Sequence, residues 1–138
     1  MGIVAKLYAF LGDALTKINP VYKAIGIQNS KDVKALSDYK DTVTAFIFDT
    51  KSEQRGGTGK KFNWKVLSNY ELEIPFLLSG GISLDDTERL SKFKHPMCIG
   101  FDLNSRFEKE PGVKDCNLLT SFITNLNVQK THQKIENH

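Results

Sequence analysis

Residues 75–83 read PFLLSGGIS, and this stretch decides the fold class of the chain. An apolar run without polar alternation is typical of a strand that is covered on both faces of a parallel sheet. The run ends in Ser79, Gly80 and Gly81, and Ser83 then precedes an acidic turn of the kind that begins a helix. The stretch therefore predicts a strand, a tight turn and a helix in succession, which is the repeating unit of α/β proteins.

The same succession recurs elsewhere in the chain. Residues 45–51 read AFIFDTK and residues 97–105 read MCIGFDLNS, so each is an apolar run that ends in small or polar residues. A strand is also predicted over 21–27, and a helix over 31–39 with Ser30 as its N-cap. Strands that alternate with helices predict a parallel sheet with right-handed crossovers.

Three further helices complete the predicted elements. An apolar stripe over 3–18 and a short pattern over 62–70 indicate two of them, and Asp115 is the expected N-cap of the third. The last helix has a predicted inner stripe of Leu118, Leu119, Phe122, Ile123 and Leu126. We expect one domain over 1–127 and a frayed polar tail over 128–138.

The length of the chain limits the architecture. A closed (βα)8 barrel typically needs about 250 residues, whereas this chain has 138. Four strand–helix units therefore form either a small open sheet or part of a barrel.

Composition and charge exclude several classes of function. The net charge of +3 is small and scattered, which argues against nucleic acid as a partner. Lys6, Asp13 and Lys17 interrupt the N-terminal apolar run, so we expect neither a signal peptide nor a membrane span. Two cysteines, Cys98 and Cys116, do not make a disulfide framework, and we expect a cytoplasmic protein.

No metal site is expected, because the histidines lack partners at metal-ligand spacing. They are His95, His132 and His138. Cys98 lies in a predicted strand and is interpreted as a small packing residue. Cys116 begins the last helix, where a thiolate is favoured, but no base is near it in the sequence.

A glycine-rich loop follows the strand over 45–48. It fails as a Walker A loop because Gln54 and Lys61 occupy the required glycine and hydroxyl positions, and it fails as a dinucleotide fingerprint because Phe62 replaces a glycine. Two interpretations stay open. The loop is either a mobile, backbone-rich cover for a site or a plain connection.

Two strand ends are candidates for chemistry, because function in parallel α/β folds collects there. The glycines of Ser79-Gly80-Gly81 let an anion approach the backbone beside a helix N-terminus, although a turn without ligand has the same composition. Asp49 lies at the end of an apolar strand. A partly desolvated carboxyl there acts as a general acid, and the alternative is a structural cap or acceptor.

Taken together, these segments resemble phosphoribosylanthranilate isomerase, a barrel enzyme of tryptophan biosynthesis. The resemblance runs from about Val21 to Asn127. Its motifs are FDTK at 48–51, GGTGK at 56–60, FNW at 62–64, LLSGGIS at 77–83, DLNSRFE at 102–108 and PGVKD at 111–115. Each motif alone is weak, but together they follow one another in the order that the family has.

The resemblance implies a (βα)8 barrel that carries out an Amadori rearrangement of a phosphosugar without a cofactor. It implies that Asp49 is the general acid that helps open the sugar ring. The loop over the substrate would consist of Gly56, Gly57, Thr58, Gly59 and Lys60. The phosphate site would draw on Gly80, Gly81, Asp102, Asn104, Ser105 and Arg106.

Two departures from the family pattern are visible. Arg106 stands where many members have glycine, which changes the expected phosphate contacts. The family's Lys-Ile-Cys-Gly motif with its general-base cysteine is absent, as is an early arginine that holds the anthranilate carboxylate. Neither Cys98 nor Cys116 matches the base position. The chain thus resembles strands five to eight, the C-terminal part of the enzyme.

Three hypotheses follow. The first is an isomerase represented by the portion with the acid and the phosphate site. The second is a non-catalytic half-barrel that binds phosphosugars, self-associates or assembles with an N-terminal half-barrel. The third is another phosphate-binding barrel such as indole-glycerol-phosphate synthase, which is disfavoured because GGTGK after FDTK is not its pattern.

Overall fold

The computed structural model describes residues 20–50 and 63–136. They belong to two compact units. The first contains the described residues as far as Gly80 together with Pro96–Phe101, and the second contains Gly81–His95 and the described residues from Asp102 onwards. The helix predicted over 3–18 and the loop over 56–60 lie outside the described residues.

A four-stranded parallel sheet is the centre of the first unit. Its strands are β1 (Tyr22–Ile27), β2 (Ala45–Thr50), β3 (Phe76–Leu78) and β4 (Cys98–Phe101), and they lie in the order β1-β2-β3-β4. In the register of the central pair, Phe46 lies opposite Phe76 and Phe48 opposite Leu78. The predicted α/β class and the parallel sheet are therefore confirmed.

One face of this sheet is closed by aromatic rings. Phe46, Phe48 and Phe76 are completely buried, and the Phe48 ring centroid lies 5.6 Å from that of Phe46 and 4.8 Å from that of Phe76. Tyr70 meets all three rings edge-on, with centroid distances of 6.4, 5.4 and 5.4 Å. Full burial of each such side chain stabilises the fold by about 1.5–3 kcal/mol, so this cluster is the main core of the unit.

The opposite face and the edges are less covered than the sequence predicts. Ile47 of β2 and Leu77 of β3 are neighbours in the register, and both are only half-buried. On the edge strands, Tyr22 is 50% exposed and Ile99 is 59% exposed. The strand predicted over 97–101 is present as β4, but its predicted burial is wrong: β4 is an edge strand within the described residues, and its side chains are half-buried or exposed.

Short helical segments follow the strands of this unit. After β1 comes α1 (Ser30–Lys34), which continues as a 3₁₀ helix over Ala35–Tyr39. Its N-cap is Asn29 rather than the predicted Ser30, because the Asn29 side chain accepts a hydrogen bond from the Lys31 amide and the Asn29 amide donates one to the Asp32 carboxylate. The pattern over 62–70 is realised as a 3₁₀ helix over Trp64–Asn69.

The second unit is mostly helical. Its elements are a 3₁₀ helix over Leu84–Asp86, α2 (Thr87–Lys92), a 3₁₀ helix over Ser105–Phe107, the antiparallel pair β5 (Glu108–Glu110) and β6 (Val113–Lys114), and α3 (Cys116–Glu136). Asp115 caps α3 as predicted, since its carboxylate accepts from the amides of Asn117 and Leu118 at 2.9 and 3.2 Å. Phe107 and Phe122 are buried against each other.

Two expectations for the last helix need correction. Ile123, placed on the inner stripe, is 55% exposed, whereas Phe122 and Leu126 are buried. The helix also continues past Val128 to Glu136, so most of the segment predicted as a frayed tail is helical. The division of the chain at residue 127 stays a prediction.

A buried tyrosine makes the stability of the first unit depend on alkaline pH. The Tyr70 hydroxyl donates to the Ile74 carbonyl oxygen at 2.6 Å, and burial raises the pKa of Tyr70 to about 12. The folded chain therefore holds this proton more tightly than the unfolded chain, whose tyrosines titrate near about 10. The stabilisation is complete below about pH 10 and is lost as the pH rises toward 12.

We expect Tyr70→Phe to lower the free energy of unfolding at neutral pH by about 1–3 kcal/mol, because the buried Ile74 carbonyl loses its donor. The variant should also lack part of the alkaline loss of stability. Urea unfolding between pH 8 and 11.5, followed by the fluorescence of the single tryptophan, Trp64, measures both effects. Tyr22→Phe, at an exposed edge position, is the matched control. Equal pH dependence in Tyr70→Phe and the unchanged chain would contradict the assignment.

Candidate active site at the strand ends

The carboxyl ends of the two central strands, β2 and β3, lie side by side. The Ser79 amide, just after β3, donates to the Phe48 carbonyl oxygen at 2.7 Å. Asp49 is the next residue of β2 and pairs with Gly26 of β1. This geometry places Asp49 and the start of the Ser79-Gly80 turn on neighbouring strands, at the edge where parallel α/β proteins hold their active sites.

Asp49 is an exposed residue of a buried strand. Side chains alternate along a strand, so Asp49 shares a face with the half-buried Ile47 and not with the aromatic cluster. The desolvation expected for this carboxyl is therefore not provided by the residues that surround it in the described part of the chain. A general acid at this position needs a further covering group, from a substrate or from additional strands.

The predicted tight turn after β3 is present. Gly80 has φ 90° and Gly81 has φ 65°, and both values fall in the left-handed region that glycine adopts at little cost. The turn therefore requires these two glycines for its backbone path. A side chain at either position would also narrow the approach to the backbone.

The helical segment expected beside this turn is capped by a carboxylate of the chain. The next helical segment begins only at Leu84, and Asp86 accepts hydrogen bonds from the Ser83 amide at 2.8 Å and from the Ser83 hydroxyl at 3.1 Å. The buried Asp86 carboxylate thus takes both Ser83 donors, so these two groups are not available to an anion. The argument for anion binding at these glycines consequently does not draw on Ser83.

The segment after β4 is held by a line of polar contacts within the second unit. The Asn104 side-chain amide donates to the Asp102 carboxylate at 3.0 Å, and its oxygen accepts from the Lys114 ammonium at 3.3 Å. Lys114 also donates to the Leu103 carbonyl oxygen at 3.1 Å and to Glu108 at 2.7 Å. Ser105 and Arg106 follow in a 3₁₀ turn and are exposed.

Glu108 and Lys114 lie beside the segment after β4, and the sequence analysis gave neither of them a role. The hydrogen bond from Lys114, supported by the Gly112 amide, lowers the pKa of Glu108 below its ordinary value. Both residues lie inside quoted motifs, DLNSRFE and PGVKD. The available signal was a pair of opposite charges on either side of a Pro-Gly turn, which is typical of a hairpin.

The predicted site residues thus belong to two different compact units. Asp49 and Gly80 lie at the sheet edge of the first unit, whereas Gly81 and the residues from Asp102 to Arg106 belong to the second. The loop residues Gly56 to Lys60 lie outside the described residues. The role of each predicted residue stays a prediction.

Over residues 20–50 and 63–136, no group of three metal-ligating side chains comes together. None of the helices in that part of the chain is both long and apolar enough to cross a bilayer. Cys98 is half-buried in β4, and Cys116 is exposed at the start of α3.

Comparison with known families decides the assignment. A family model described as N-(5'-phosphoribosyl)anthranilate (PRA) isomerase matches residues 11–125. The chain belongs to the PRA isomerase family. Among the curated members, the PRA isomerase of Parabacteroides distasonis is 46% identical over 101 residues, which cover 73% of this chain and 46% of that protein. The one from Petrotoga mobilis is 41% identical over 106 residues, or 76% of this chain and 50% of that protein.

The chain therefore spans about half the length of the PRA isomerases that it matches. Among solved structures, it is similar to the PRA isomerase of Thermus thermophilus with a TM-score of 0.66 at 22% identity, covering 87% of this chain and 56% of the other. Monomers of the dimeric PRA isomerase from Thermotoga maritima give a TM-score of 0.66 at 24% identity, with the same coverage. These similarities establish the same α/β architecture with its parallel sheet.

The positive φ angle of Gly81 can be tested by substitution. Gly81→Ala should destabilise the chain by about 1–2 kcal/mol, because a side chain at φ 65° meets the following carbonyl oxygen. Gly81→Asn should cost less, since asparagine tolerates this region better than other residues. Urea unfolding of both variants measures the difference. Equal stability of the alanine variant and the unchanged chain would contradict the turn geometry.

Proposed function

We propose that this chain is the C-terminal part of a PRA isomerase barrel, in which β1 to β4 serve as strands five to eight. Together with the first four strands, it would convert N-(5'-phosphoribosyl)anthranilate to the corresponding carboxyphenylamino-deoxyribulose phosphate. The observation that carries this proposal is the family match over residues 11–125, on a chain about half as long as its relatives.

The coverage of the sheet supports the partial barrel. The aromatic cluster closes one face, which corresponds to the helix-covered outside of a barrel. Ile47 and Leu77, on the other face, are apolar but only half-buried, as expected of barrel-interior residues without the opposite wall. Tyr22 and Ile99 are exposed on the two edge strands, where a barrel would continue.

The partner of these edges is, in this proposal, an N-terminal half-barrel. Unpaired edge strands with apolar side chains favour association, and burial of apolar surface yields about 25 cal/mol per Å². Self-association of two copies would satisfy the same edges. It would not supply the family's cysteine motif, so it is the expected outcome only when the N-terminal half is absent.

Asp49 is proposed as the general acid. It would give its proton to the ring oxygen of the ribose as the bond from that oxygen to the first carbon breaks, while the anthranilate nitrogen forms a double bond to that carbon. This role needs a protonated carboxyl, which apolar surroundings favour. Because Asp49 is exposed in this chain, the covering would come from the substrate and the remaining strands.

The second proton transfer needs a base from outside the motifs present here. A base must take the proton from the second carbon of the sugar, and the resulting enolamine then rearranges to the ketone. Cys98 and Cys116 do not match the family's base position. The N-terminal half, with its cysteine motif, is therefore proposed to provide it.

Phosphate is proposed to bind at the glycine turn and at the segment after β4. Gly80 and Gly81 leave their backbone open to an anion, and Asn104 and Ser105 correspond to the family's second phosphate segment. Arg106 is exposed, so its guanidinium is free to approach a phosphate that the usual glycine would meet through its backbone. Asp102 is proposed to help shape this segment, and the loop Gly56 to Lys60 to cover the substrate.

A non-catalytic half-barrel is the second candidate. Two observations favour it: the exposed Asp49 and the absence of the base motif from this sequence. It would bind phosphosugars without turnover even in the presence of an N-terminal half.

The test uses a two-part enzyme, made by co-producing this chain with the N-terminal half of the Parabacteroides distasonis relative. Asp49→Asn should lower kcat by about 10² or more, the scale of general acid catalysis, because an amide has no proton to donate to the ring oxygen. The assay follows the loss of fluorescence of phosphoribosylanthranilate.

Asp41→Asn is the matched control, because Asp41 is exposed and lies in the turn before β2, at the opposite end of that strand. It should leave kcat unchanged. Near-normal turnover in Asp49→Asn would remove Asp49 from the mechanism. A two-part enzyme that binds inorganic phosphate but never turns over would favour the non-catalytic candidate.

A further inference from the structure

Lys114 is the centre of the polar contacts in the second unit. Its ammonium donates to the Leu103 carbonyl oxygen at 3.1 Å, to the Asn104 side-chain oxygen at 3.3 Å and to Glu108 at 2.7 Å. An ammonium group has three protons to donate. The three acceptors therefore use its whole donor capacity, and none is left for a ligand.

These contacts fix the orientation of Asn104. Its oxygen faces Lys114, so its nitrogen faces the Asp102 carboxylate, to which it donates at 3.0 Å. The backbone of Asn104, with φ −120° and ψ −119°, is neither helical nor extended. Lys114 donates both to the carbonyl oxygen of Leu103 and to the side-chain oxygen of Asn104, so it fixes Asn104 on both its backbone and its side-chain side.

Lys114 lies in a short hairpin that is hydrogen-bonded to the rest of the second unit. It is opposite Glu108 in the hairpin of β5 and β6, and the Glu108 carboxylate also accepts from the Gly112 amide at 3.3 Å. The Asp115 amide donates to the Phe107 carbonyl oxygen at 2.7 Å, and the buried Phe107 ring packs on Phe122 of α3. The hairpin is thereby attached to the core of the second unit, and Lys114 connects it to the strand-end segment.

We propose that Lys114 is a positioning residue for the phosphate-binding segment from Asp102 to Ser105. The proposal rests on the proposed function, because it takes that segment as a phosphate contact. Lys114 acts through the segment, since its protons are all engaged by the chain. Its positive charge also offsets the carboxylate of Glu108, with which it forms an ion pair at 2.7 Å.

The test compares two substitutions in the two-part enzyme. Lys114→Met keeps most of the aliphatic stem but removes the donors, so the segment should lose its fixed shape. KM for phosphoribosylanthranilate and the inhibition constant of inorganic phosphate should both rise about tenfold or more, the scale of a lost charged hydrogen bond. The value of kcat should change less than about twofold, since Asp49 lies on a different strand end.

Lys114→Arg should restore most of the affinity, because the guanidinium also donates several hydrogen bonds. Lys109→Met, at an exposed position of β5, is the matched control and should leave both constants unchanged. A lower thermal midpoint in Lys114→Met with unchanged KM and unchanged phosphate inhibition would overturn the proposal, because that pattern indicates structural support alone.

The proposal and the proposed function fail in different ways. Absence of turnover in the unmutated two-part enzyme would contradict the function and leave Lys114 to be tested by binding. Titration with inorganic phosphate, followed by amide NMR shifts of Asn104 and Ser105, then decides. Weaker phosphate binding in Lys114→Met would support the positioning role, and equal binding would overturn it.

Discussion

The packing of Phe46, Phe48 and Phe76 under Tyr70 is the interaction on which the first unit depends. It closes one face of a four-stranded parallel sheet with completely buried rings. Because side chains alternate along each strand, the same register places Ile47 and Asp49 on the opposite face. The aromatic cluster therefore determines both where the core of the first unit lies and which face of the sheet remains less covered.

The ends of β2 and β3 lie side by side because the parallel register aligns the two strands. The Ser79 amide reaches the Phe48 carbonyl, and this contact places the glycine turn beside Asp49. The positive φ angles of the two glycines define the path of the chain after β3. In the second unit, the hydrogen bond from Lys114 to Asn104 defines the path of the chain after β4. The proposed binding of phosphate would therefore depend on backbone shape as much as on charge, in keeping with the modest net charge of the protein.

Local patterns predicted the strands well. Local runs predicted all four strands of the sheet, and Asp115 was predicted as a cap because its carboxylate accepts from the amides two and three residues further on. Features that depend on distant neighbours were missed. The edge position of β4 leaves Ile99 exposed although its sequence is as apolar as that of β2. The hairpin of β5 and β6 is too short for a periodic signal. The Lys114 contacts with Leu103 and Asn104 join residues eleven and ten positions apart, so no local pattern reveals them, and the Pro-Gly turn signals only the contact with Glu108. The catalytic role proposed for Asp49 rests on the family resemblance, because a lone carboxyl at a strand end has several possible roles.

The central claim is that this sheet functions as one part of a barrel whose other strands complete it. The most direct measurement is the turnover of phosphoribosylanthranilate by the purified 138-residue chain, with and without the N-terminal half of the Parabacteroides distasonis relative. We predict that the chain alone is inactive and self-associates, and that activity appears when the two parts are mixed. Robust turnover by the chain as a monomer, or no turnover in any mixture that forms a stable complex, would contradict the account.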